Sequence, residues 1–492
     1  MLRNVPARAH WLAHGAVALA ASATLLISTS TASGTPAPKS YLLLAKGNGL
    51  PAGLAKRVSD SGGTLTTSLP EIGIAFAISS DDDFRSKASS ISGLQSVNHS
   101  ITTNWISPTQ HVAGPSVNFG SPPASGDDDE FFDLQWGHDA IDAPESWNAG
   151  GRGDGARVAV IDTGFDTDHP DLAPNVNFGL SANFVPGETL TYAINDPFSH
   201  GSHTAGTVAA ADNGFGTIGV APESELVLVK GLPDEGCGSD APILQGIVHA
   251  AGVADADIIS MSLGDRLEKS GMVHPGCDPD SPADDIVLTA SEVSEIRKAW
   301  SRAVDYATQQ GATVIASAGN DGEDKDHSNN SIHIPSDTPG VISVAATGPQ
   351  GWGIDPTTDL DLPGSILPGG VYTNFGQSAI DFAAPGGSAV LTLPGLCTVG
   401  IVTNVCFAFD FVFSTGSNLN PAIASYFWSV GTSMAAPHVA GVAAIIVGEN
   451  GGSMSPSHVE AALRASADDL GKPGNDDFYG AGRVNAANAV GG

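Results

Sequence analysis

Basic side chains are scarce in this chain of 492 residues, which has 20 Lys and Arg against 53 Asp and Glu. The formal net charge is therefore -33 at neutral pH. This balance argues against nucleic acid as a partner, because no basic face could offset the repulsion from phosphates. A strongly acidic surface instead favours solubility and repels other acidic surfaces.

Cysteine is rare as well, with four in the whole chain. None has the spacing of a zinc site and none stands in a motif with histidine, so a metal-thiolate site and a thiol nucleophile are both disfavoured. An even number fits disulfides in an oxidising compartment. Pairing of nearest neighbours would join Cys237 to Cys277 and Cys397 to Cys406, although the sequence alone allows three pairings.

Long apolar runs are absent beyond the N-terminus. Residues 15–27 are apolar, follow Arg3 and Arg8, and precede the small residues of 30–32. This pattern is typical of a secretory signal peptide, and the run is short for a membrane span. We therefore predict a signal peptide over residues 1–32, a secreted protein, and no membrane contact once the signal is removed. A membrane anchor is the alternative.

What the chain does contain is a serine that ends a glycine turn, in the stretch GTSMAAPHVAG at residues 431–441. The small residues after Ser433 have helical period, so we expect Ser433 at the N-terminus of a buried helix. Unpaired backbone N–H groups and the positive dipole end favour an anion there. A serine nucleophile needs that environment, because its attack on a carbonyl creates an oxyanion. The alternative is an ordinary buried Ala/Gly helix.

Two motifs upstream supply an acid and a base. Residues 157–162 are a short apolar run that predicts a buried parallel strand ending in Asp162. Residues 200–207, HGSHTAGT, predict a helix that His200 opens. In such a set His200 takes the proton of Ser433, while Asp162 holds the imidazole tautomer and stabilises its cation. Taken singly, Asp162 also fits a turn and His200 a helix cap.

A fourth motif is the stretch ATVIASAGN at residues 312–320, which predicts another apolar strand that ends in Gly-Asn. Asn320 can direct its side-chain N–H₂ toward the oxyanion, together with the backbone N–H of Ser433. A plain turn asparagine is the alternative.

Together these motifs resemble those of the subtilisin-like serine proteases, or subtilases. The matching stretches are residues 160–164, 200–206, 317–320 and 431–441, with a similar closing turn and helix at 479–486. The order Asp, His, Ser is that of subtilisin. The resemblance implies a secreted serine endopeptidase that cleaves protein or peptide substrates through an acyl-enzyme. The catalytic residues that it implies are Asp162, His200, Asn320 and Ser433.

The resemblance also implies the walls of a substrate cleft. One segment pairs with the substrate backbone, as an added strand would, and forms one wall of the primary specificity pocket. A second segment forms the facing wall, and His333 falls near the pocket floor, which would make the pocket shallower or more polar. A surface loop is the alternative for His333. The residues implied are Ser262, Leu263, Gly264, Ala318, Gly319 and His333.

A structural calcium site is implied in the same way. Its ligands would be the side chains of Asp171 and Asn213 and the backbone carbonyls of Ala211, Phe215 and Thr217. Oxygen-only coordination suits calcium. The Gln ligand that the family often has near the N-terminus has no secure match, with Asp133 as a candidate. A solvated acidic loop is the alternative.

The order of elements predicts two folded parts. From residue 131 onward strands and helices alternate, which predicts an α/β fold of three layers, a mainly parallel sheet with helices on both faces. Residues 33–106 have instead the order β-α-β-β-α-β of a small ferredoxin-like α+β unit. This unit is similar to the subtilase propeptide, which assists folding and then inhibits the enzyme. An unrelated small domain is the alternative.

A linker rich in Pro, Ser and Gly, and then acidic, is expected over residues 107–130, with the maturation cleavage in this region. Residues 131–492 would then form a catalytic domain, which we expect to be a monomer with its own propeptide as inhibitory partner.

Two segments, residues 265–293 and 349–427, depart from a compact subtilase and border the expected cleft. They leave three hypotheses open: a secreted endopeptidase made as a self-processed precursor, a processing peptidase with few substrates, and an inactive protease-like binding protein. The presence of all four catalytic residues argues against the third.

Overall fold

The structure is a computed structural model that describes residues 38–106, 110–114, 128–277, 285–367, 370–391, 395–400, 402–417 and 423–491. The predicted signal peptide and most of the predicted linker lie outside these residues. All described residues belong to the unit of the chain that begins at Pro38.

The first described elements form a small α+β unit in the predicted order. They are β1 Lys39–Ala45, α1 Leu54–Asp60, β2 Thr64–Leu69, β3 Ile74–Ser79, α2 Phe84–Ala88 and β4 Leu94–His99. The strands form an antiparallel sheet in the order β2-β3-β1-β4. Because side chains alternate along a strand, Leu43 packs with α1 and α2, whereas Leu42 and Leu44 face the other side.

Two short strands lead into the larger part of the chain, β5 Thr102–Asn104 and β6 Gln110–Ala113. The next elements are α3 Trp136–Ala140, α4 Ala143–Ala149, β7 Arg157–Asp162, β8 Ala182–Asn183, α5 His200–Ala209, β9 Glu225–Lys230, β10 Cys237–Ser239, α6 Asp240–Gly252, β11 Ile258–Met261, β12 Asp265–Glu268, β13 Gly271–His274, β14 Ile286–Thr289 and α7 Ala290–Gln310. The last are β15 Thr313–Ser317, β16 Ser331–Ile334, β17 Val341–Thr347, β18 Ser365–Leu367, β19 Gly370–Val371, β20 Phe382–Pro385, β21 Leu396–Val399, β22 Val402–Val405, β23 Val412–Thr415, β24 Tyr426–Val430, α8 Thr432–Glu449, α9 Pro456–Ser466 and α10 Ala486–Val490.

A sheet of seven strands forms the middle layer, in the order β20-β17-β15-β11-β7-β9-β8. Every neighbouring pair in it is parallel. Parallel strands need crossover connections, and α5, α6 and α7 supply those from β7 to β9, from β9 to β11 and from β11 to β15. The predicted α/β fold of three layers is therefore confirmed.

The sheet is buried on both faces. Along β7, Val158 and Val160 pack with residues of α5 and α8, while Ala159 and Ile161 pack with residues of α6 and α7. Leu42 of β1 packs in the same cluster as Ala159, Ile161 and the apolar residues of α6 and α7. The small α+β unit therefore lies on these two helices.

Helix α8 runs through the interior of the larger part. By length and composition alone, the expectation that no apolar run beyond the N-terminus could cross a bilayer is wrong, since α8 is the one such helix within the described ranges. However, 89% of its apolar window is buried. A Cβ on Gly441 would come within 2.5 Å of Cβ of Val220, so glycine is needed for this close approach. The helix is accordingly a core helix, as its small residues predict.

The predicted linker contains a strand that the sequence did not reveal. β6 pairs antiparallel with β24, with His111 opposite Ser429 and Gln110 opposite Val430. β24 is otherwise bonded to β23 on one side only, so its other edge offers unpaired backbone groups to a passing chain. This strand forms because of its pairing with β24 and not because of the composition of the segment.

The four cysteines are paired in the structure. Cys237 of β10 is bonded to Cys277, and Cys397 is bonded to Cys406 across the β21–β22 hairpin. These are the nearest-neighbour pairs among the three possibilities that the sequence allows.

Candidate active site

The four predicted catalytic residues meet at one edge of the seven-stranded sheet. Asp162 is the last residue of β7, and Asn320 follows β15. His200 is the first residue of α5 and Ser433 the second of α8. Because parallel strands end at the same edge, the residues that follow them are brought together there.

Asp162 and His200 form a buried pair. Since an ionised carboxylate only accepts, Nδ1 of His200 donates to Oδ1 of Asp162, at 2.8 Å. Oδ1 also accepts the N–H of Thr163 at 2.7 Å, and Oδ2 accepts the hydroxyl of Thr204 at 3.1 Å. Asp162 is 0% and His200 4% exposed. These bonds place the proton of the neutral imidazole on Nδ1 and leave Nε2 without one.

Ser433 is hydrogen-bonded to Ser262 rather than to this pair. Its Oγ donates to the carbonyl of Ser262 at 3.2 Å, and the Ser262 hydroxyl donates to the carbonyl of Ser433 at 2.6 Å. Nε2 of His200 is buried and has no hydrogen bond to a described residue. The structure thus forms the Asp162–His200 bond of the predicted triad and not the His200–Ser433 bond. Such bonds often tighten only when substrate is in place.

Asn320 faces the start of α8. Its Oδ1 accepts the backbone N–H of Thr432 at 2.9 Å and the hydroxyl of Thr432 at 2.8 Å. The Thr432 hydroxyl in turn accepts the N–H of Gly319 at 3.2 Å. Because both bonds to Asn320 engage its oxygen, Nδ2 keeps its donors for another acceptor, as an oxyanion site requires.

A second histidine in the same helix is held neutral. His203 is fully buried, and its Nε2 donates to the carbonyls of Val412 and Phe427 at 3.2 and 3.1 Å. Burial, followed by the nearby His200, lowers the pKa of His203 to about 3. With Nε2 occupied as a donor, His203 cannot take a proton there, so His200 is the base that the site offers.

A segment of the chain itself lies in a cleft beside this site. β5 pairs antiparallel with β10, with Thr103 opposite Gly238. Farther along, Trp105 donates its N–H to the carbonyl of Gly236 at 3.1 Å and accepts the N–H of Gly264 at 2.9 Å. The indole is fully buried, and its Nε1 donates to the carbonyl of Gly238 at 2.8 Å. An extended peptide is therefore bound against Gly264, in the wall predicted to pair with substrate.

His333 lies between the two predicted walls of the pocket. It is 4% exposed, and its Nδ1 lies 3.0 Å from Oγ of Ser336. A Cβ on Gly264 would collide with its ring, and a Cβ on Gly319, where φ is +101°, would lie 2.7 Å from its Nε2. Burial lowers the pKa of His333. The imidazole therefore occupies space beside both glycines and is not part of a surface loop.

Asp171 is buried beside the loop of residues 211–217. Its Oδ2 accepts the N–H of Thr217 at 2.9 Å and the hydroxyl of Tyr426 at 3.0 Å. Nδ2 of Asn213 lies 3.5 Å from Oδ1, and the N–H of Ala211 donates to the carbonyl of Asp171 at 2.7 Å. Burial raises the pKa of Asp171 to about 7.

A second carboxylate reaches the same loop. Oδ1 of Asp129 accepts the N–H of Phe215 at 3.0 Å. Carboxylate oxygens of Asp128, Asp129 and Asp212 lie within 4.8 Å of one another. The acid that precedes the sheet and bonds to this loop is thus Asp129 rather than Asp133. Carboxylate, amide and carbonyl oxygens are the ligands that calcium prefers, so the donor set fits that ion in its chemistry.

Two residues of the site were not found from the sequence: Asp129 and Thr204. Thr204 lies four residues after His200, on the same face of α5, and that helical spacing was a usable signal. Asp129 belongs to an acidic run that was assigned to the linker.

The fold and the site define a class: an α/β sandwich with an acid, an imidazole and a serine hydroxyl at the carboxyl edge of a parallel sheet. The chain belongs to the subtilase family, whose model matches residues 153–482. Membership in this family supports a serine peptidase, a hydrolase.

Named relatives agree. The chain is 33% identical over 357 residues to M-protease of Shouchella clausii (strain KSM-K16), which covers 73% of this chain and 70% of the relative. Subtilisin Savinase of Lederbergia lenta is also 33% identical, over 73% of this chain and 98% of its own length. Thermitase of Thermoactinomyces vulgaris is 30% identical over 74% of this chain and 98% of its own.

Solved structures share the fold. The epidermin leader peptide processing serine protease of Staphylococcus aureus matches with a TM-score of 0.69 at 22% identity, over 92% of this chain and 98% of that one. Fervidolysin of Fervidobacterium pennivorans matches with a TM-score of 0.65 at 22% identity, over 93% of this chain and 61% of that one.

Proposed function

We propose that the protein is a secreted serine endopeptidase, made as a precursor that cuts itself to mature. The observation that carries the proposal is the buried Asp162–His200 bond of 2.8 Å beside a serine at a helix N-terminus. Membership of the subtilase family supports the same chemistry. Asp162, His200, Ser433 and Asn320 are the catalytic residues that we assign.

In acylation the Ser433 hydroxyl turns from the carbonyl of Ser262 to Nε2 of His200. Nε2 takes the proton as Oγ attacks the substrate carbonyl carbon, and the electron pair of the C=O bond moves to oxygen. That oxyanion is stabilised by Nδ2 of Asn320 and the backbone N–H of Ser433, and the imidazolium by Asp162. When the C–N bond breaks, Nε2 gives its proton to the leaving amine.

In deacylation a water takes the place of the leaving amine. Nε2 of His200 removes a proton from the water as its oxygen attacks the acyl carbon, and the same donors stabilise the second oxyanion. The proton then returns to Oγ of Ser433 as the ester bond breaks. The products are a free acid, an amine and the original enzyme.

We assign the α+β unit as a propeptide that inhibits the enzyme. Its contacts with α7 support this role, since Glu292 accepts from His99 at 2.8 Å and pairs with Arg85 at 2.9 Å. Glu295 accepts the hydroxyl of Ser96 at 2.8 Å. While the unit stays on the helix, Trp105 and its neighbours occupy the cleft that a substrate would need.

We place the self-cleaved bond between Ile106 and Gln110. A peptide bound across a protease has its acyl side before the cut bond and its leaving side after it. Here β5 and Trp105 are bound on one side of the site, and β6 is bound to β24, which runs directly into Gly431 and Ser433. Both flanks are thus held as a substrate's flanks would be.

Export by a signal peptide over residues 1–32 belongs to this proposal, as do a monomeric state and the absence of nucleic acid and membrane partners. The two disulfides support an oxidising compartment. The net charge of -33 supports the exclusion of nucleic acid.

The proposal is tested by incubating the matured protein with casein, with and without a serine-directed sulfonyl fluoride. We expect digestion at many bonds, its loss with the inhibitor, and labelling of Ser433 when the peptides are analysed by mass. An unlabelled serine in folded, matured protein would favour the inactive binding protein instead.

The second candidate is a processing peptidase with few substrates. One observation favours it: β12 opens the 265–293 insertion immediately after Gly264 and pairs with β16, with Arg266 opposite His333. The insertion thus borders the predicted pocket. Cleavage of a few peptides, with casein left mostly intact, would select this candidate over a general endopeptidase.

We also propose a structural calcium ion at the loop of residues 211–217. Asp171 and Asn213 would give side-chain oxygens, and Ala211, Phe215 and Thr217 backbone carbonyls, with Asp129 as a further carboxylate. The ion would neutralise the buried carboxylate of Asp171, which accepts from the N–H of Thr217 and the hydroxyl of Tyr426, and its role would be stability. Asn213 would have to present its amide oxygen, the two amide atoms being interchangeable in shape.

Calcium should therefore raise the melting temperature of the mature protein. At 100 times Kd, one bound ion stabilises by about 2.7 kcal/mol, which corresponds to a few degrees for a domain of this size. Melting is compared in calcium and in EGTA. The exposed acid of the same segment, varied as Asp168→Asn, should keep the response, whereas Asp171→Asn should lose it. Equal melting of the wild type in both buffers contradicts the site.

A further inference from the structure

An aromatic side chain lies next to His200 and contacts β6. Phe198 precedes α5 by two residues, and its ring centroid lies 6.5 Å from that of His200, nearly perpendicular to it. Its carbonyl accepts the hydroxyl of Tyr192 at 2.9 Å, and its N–H donates to Asp196 at 3.0 Å. Phe427 of β24 packs on its edge at 5.6 Å. The ring is thus held in one position.

A planar side chain of the chain itself is stacked on this ring. His111 of β6 lies with its ring centroid 4.2 Å from that of Phe198, at 9° between the planes. The same residue pairs with Ser429 of β24 through the backbone. Offset or parallel stacking of this kind contributes beyond the area that it buries. Backbone pairing and ring stacking therefore fix one position of the bound peptide.

We infer that Phe198 forms a specificity subsite that selects a planar side chain, an aromatic residue or histidine, on the leaving-group side of the substrate. The position selected is the one that pairs with Ser429. The inference rests on the proposed function, since a peptide must be cut for its flanks to be selected. The motifs of the catalytic residues do not predict this subsite, because Phe198 lies outside them.

The charge around the stack refines the preference. Burial lowers the pKa of His111, and the nearby carboxylate of Asp196 opposes that shift. An acidic residue at this position would gain no stacking and would be repelled by Asp196. The subsite should therefore rank histidine and aromatic residues first, alanine below them, and aspartate last.

The first experiment measures kcat/KM of the mature enzyme on donor–quencher peptides that copy residues 103–113 of the chain. The His at the position of His111 is replaced in turn by Phe, Ala and Asp. We expect Phe to be tolerated and Ala to cost roughly 2- to 12-fold, the range for a lost aromatic pair. Asp should cost more than Ala.

The matched enzyme variants are Phe198→Ala and Phe198→Leu. In Phe198→Ala the penalty for Ala in the peptide should shrink to less than twofold, because the stacking partner is gone. Phe198→Leu keeps apolar volume but has no planar ring, so it should restore little of the penalty for Ala in the peptide. A peptide changed at the Trp105 position should lose equally in all three enzymes, which controls for damage to the cleft. An unchanged penalty in Phe198→Ala overturns the subsite, while wild-type cleavage itself upholds the proposed function.

A second measurement needs no catalysis. In the uncut Ser433→Ala precursor, hydrogen exchange should show protection of the amides of residues 110–113, and adding Phe198→Ala should remove much of it. Rapid exchange of these amides in Ser433→Ala itself would overturn the inference. Protection that stays unchanged when Phe198→Ala is added would overturn it too, even if no peptide is cut. The signals of β1 and β3, which lie away from the subsite, report whether the variants fold.

Discussion

Replacing Ser433 by alanine should leave the precursor uncut and reduce turnover by about 10⁶-fold, because the nucleophile of the proposed reaction is lost. The side chain is small and its hydrogen bond to the carbonyl of Ser262 is 3.2 Å long, so folding should be preserved. Intact mass measures processing. In the wild type, N-terminal sequencing should find a new terminus between residues 107 and 110.

Two controls sharpen this experiment. Ser260→Ala changes a buried hydroxyl of β11 that has no hydrogen bond to a described residue, and it should process normally. Adding mature wild-type enzyme to the Ser433→Ala precursor should cut it at the same bond, which yields a matured variant for turnover measurements. Normal processing of Ser433→Ala without added enzyme would rule out Ser433 as the agent of maturation.

The sequence predicted those strands and helices whose structure is determined by a local pattern of residues. Buried runs such as residues 157–162 are apolar without alternation because helices cover both faces of the sheet, and the structure has them as parallel strands. β6 was missed because nothing in its composition predicts a strand. Its pairing depends on the open edge of β24, more than 300 residues away in the chain.

The site shows the same division. Asp162, His200, Asn320 and Ser433 stand in motifs, and each lies at a strand end or helix start as predicted. Asp129 was missed because its partner, the N–H of Phe215, is distant in sequence. A carboxylate in an acidic run cannot be told from a solvated one until the loop that it binds is placed.

The His200–Ser433 bond is absent in a structure whose cleft is occupied by the chain itself. Both flanks of the proposed maturation bond are bound, β5 at β10 and β6 at β24, and Ser433 is hydrogen-bonded to Ser262 instead. Geometry at the serine depends on what occupies the cleft, which no local motif encodes. The pair Asp162–His200, by contrast, is fixed by its own helix and strand.

Replacing Asp162 by asparagine should lower turnover by about 10⁴-fold. The hydrogen bonds of Asp162 indicate how this loss would arise. The N–H of Thr163 demands an acceptor at the Oδ1 position, so the amide oxygen of asparagine should take it and still accept Nδ1–H of His200. The amide N–H₂ would then face Thr204, whose hydroxyl can donate to the carbonyl of Gly201 at 3.1 Å instead. The tautomer is kept, and what is lost is the charge that stabilises the imidazolium.

This route separates charge from orientation. The Nδ1–H signal of His200 in a proton spectrum should persist in Asp162→Asn, while kcat falls and KM changes little, because the loss arises only once the imidazole is charged. Thr204→Ser keeps the hydroxyl on Oδ2 and should stay near the wild-type rate. If turnover of Asp162→Asn stayed within tenfold of the wild type, the charge of Asp162 would have no substantial part in stabilising the imidazolium.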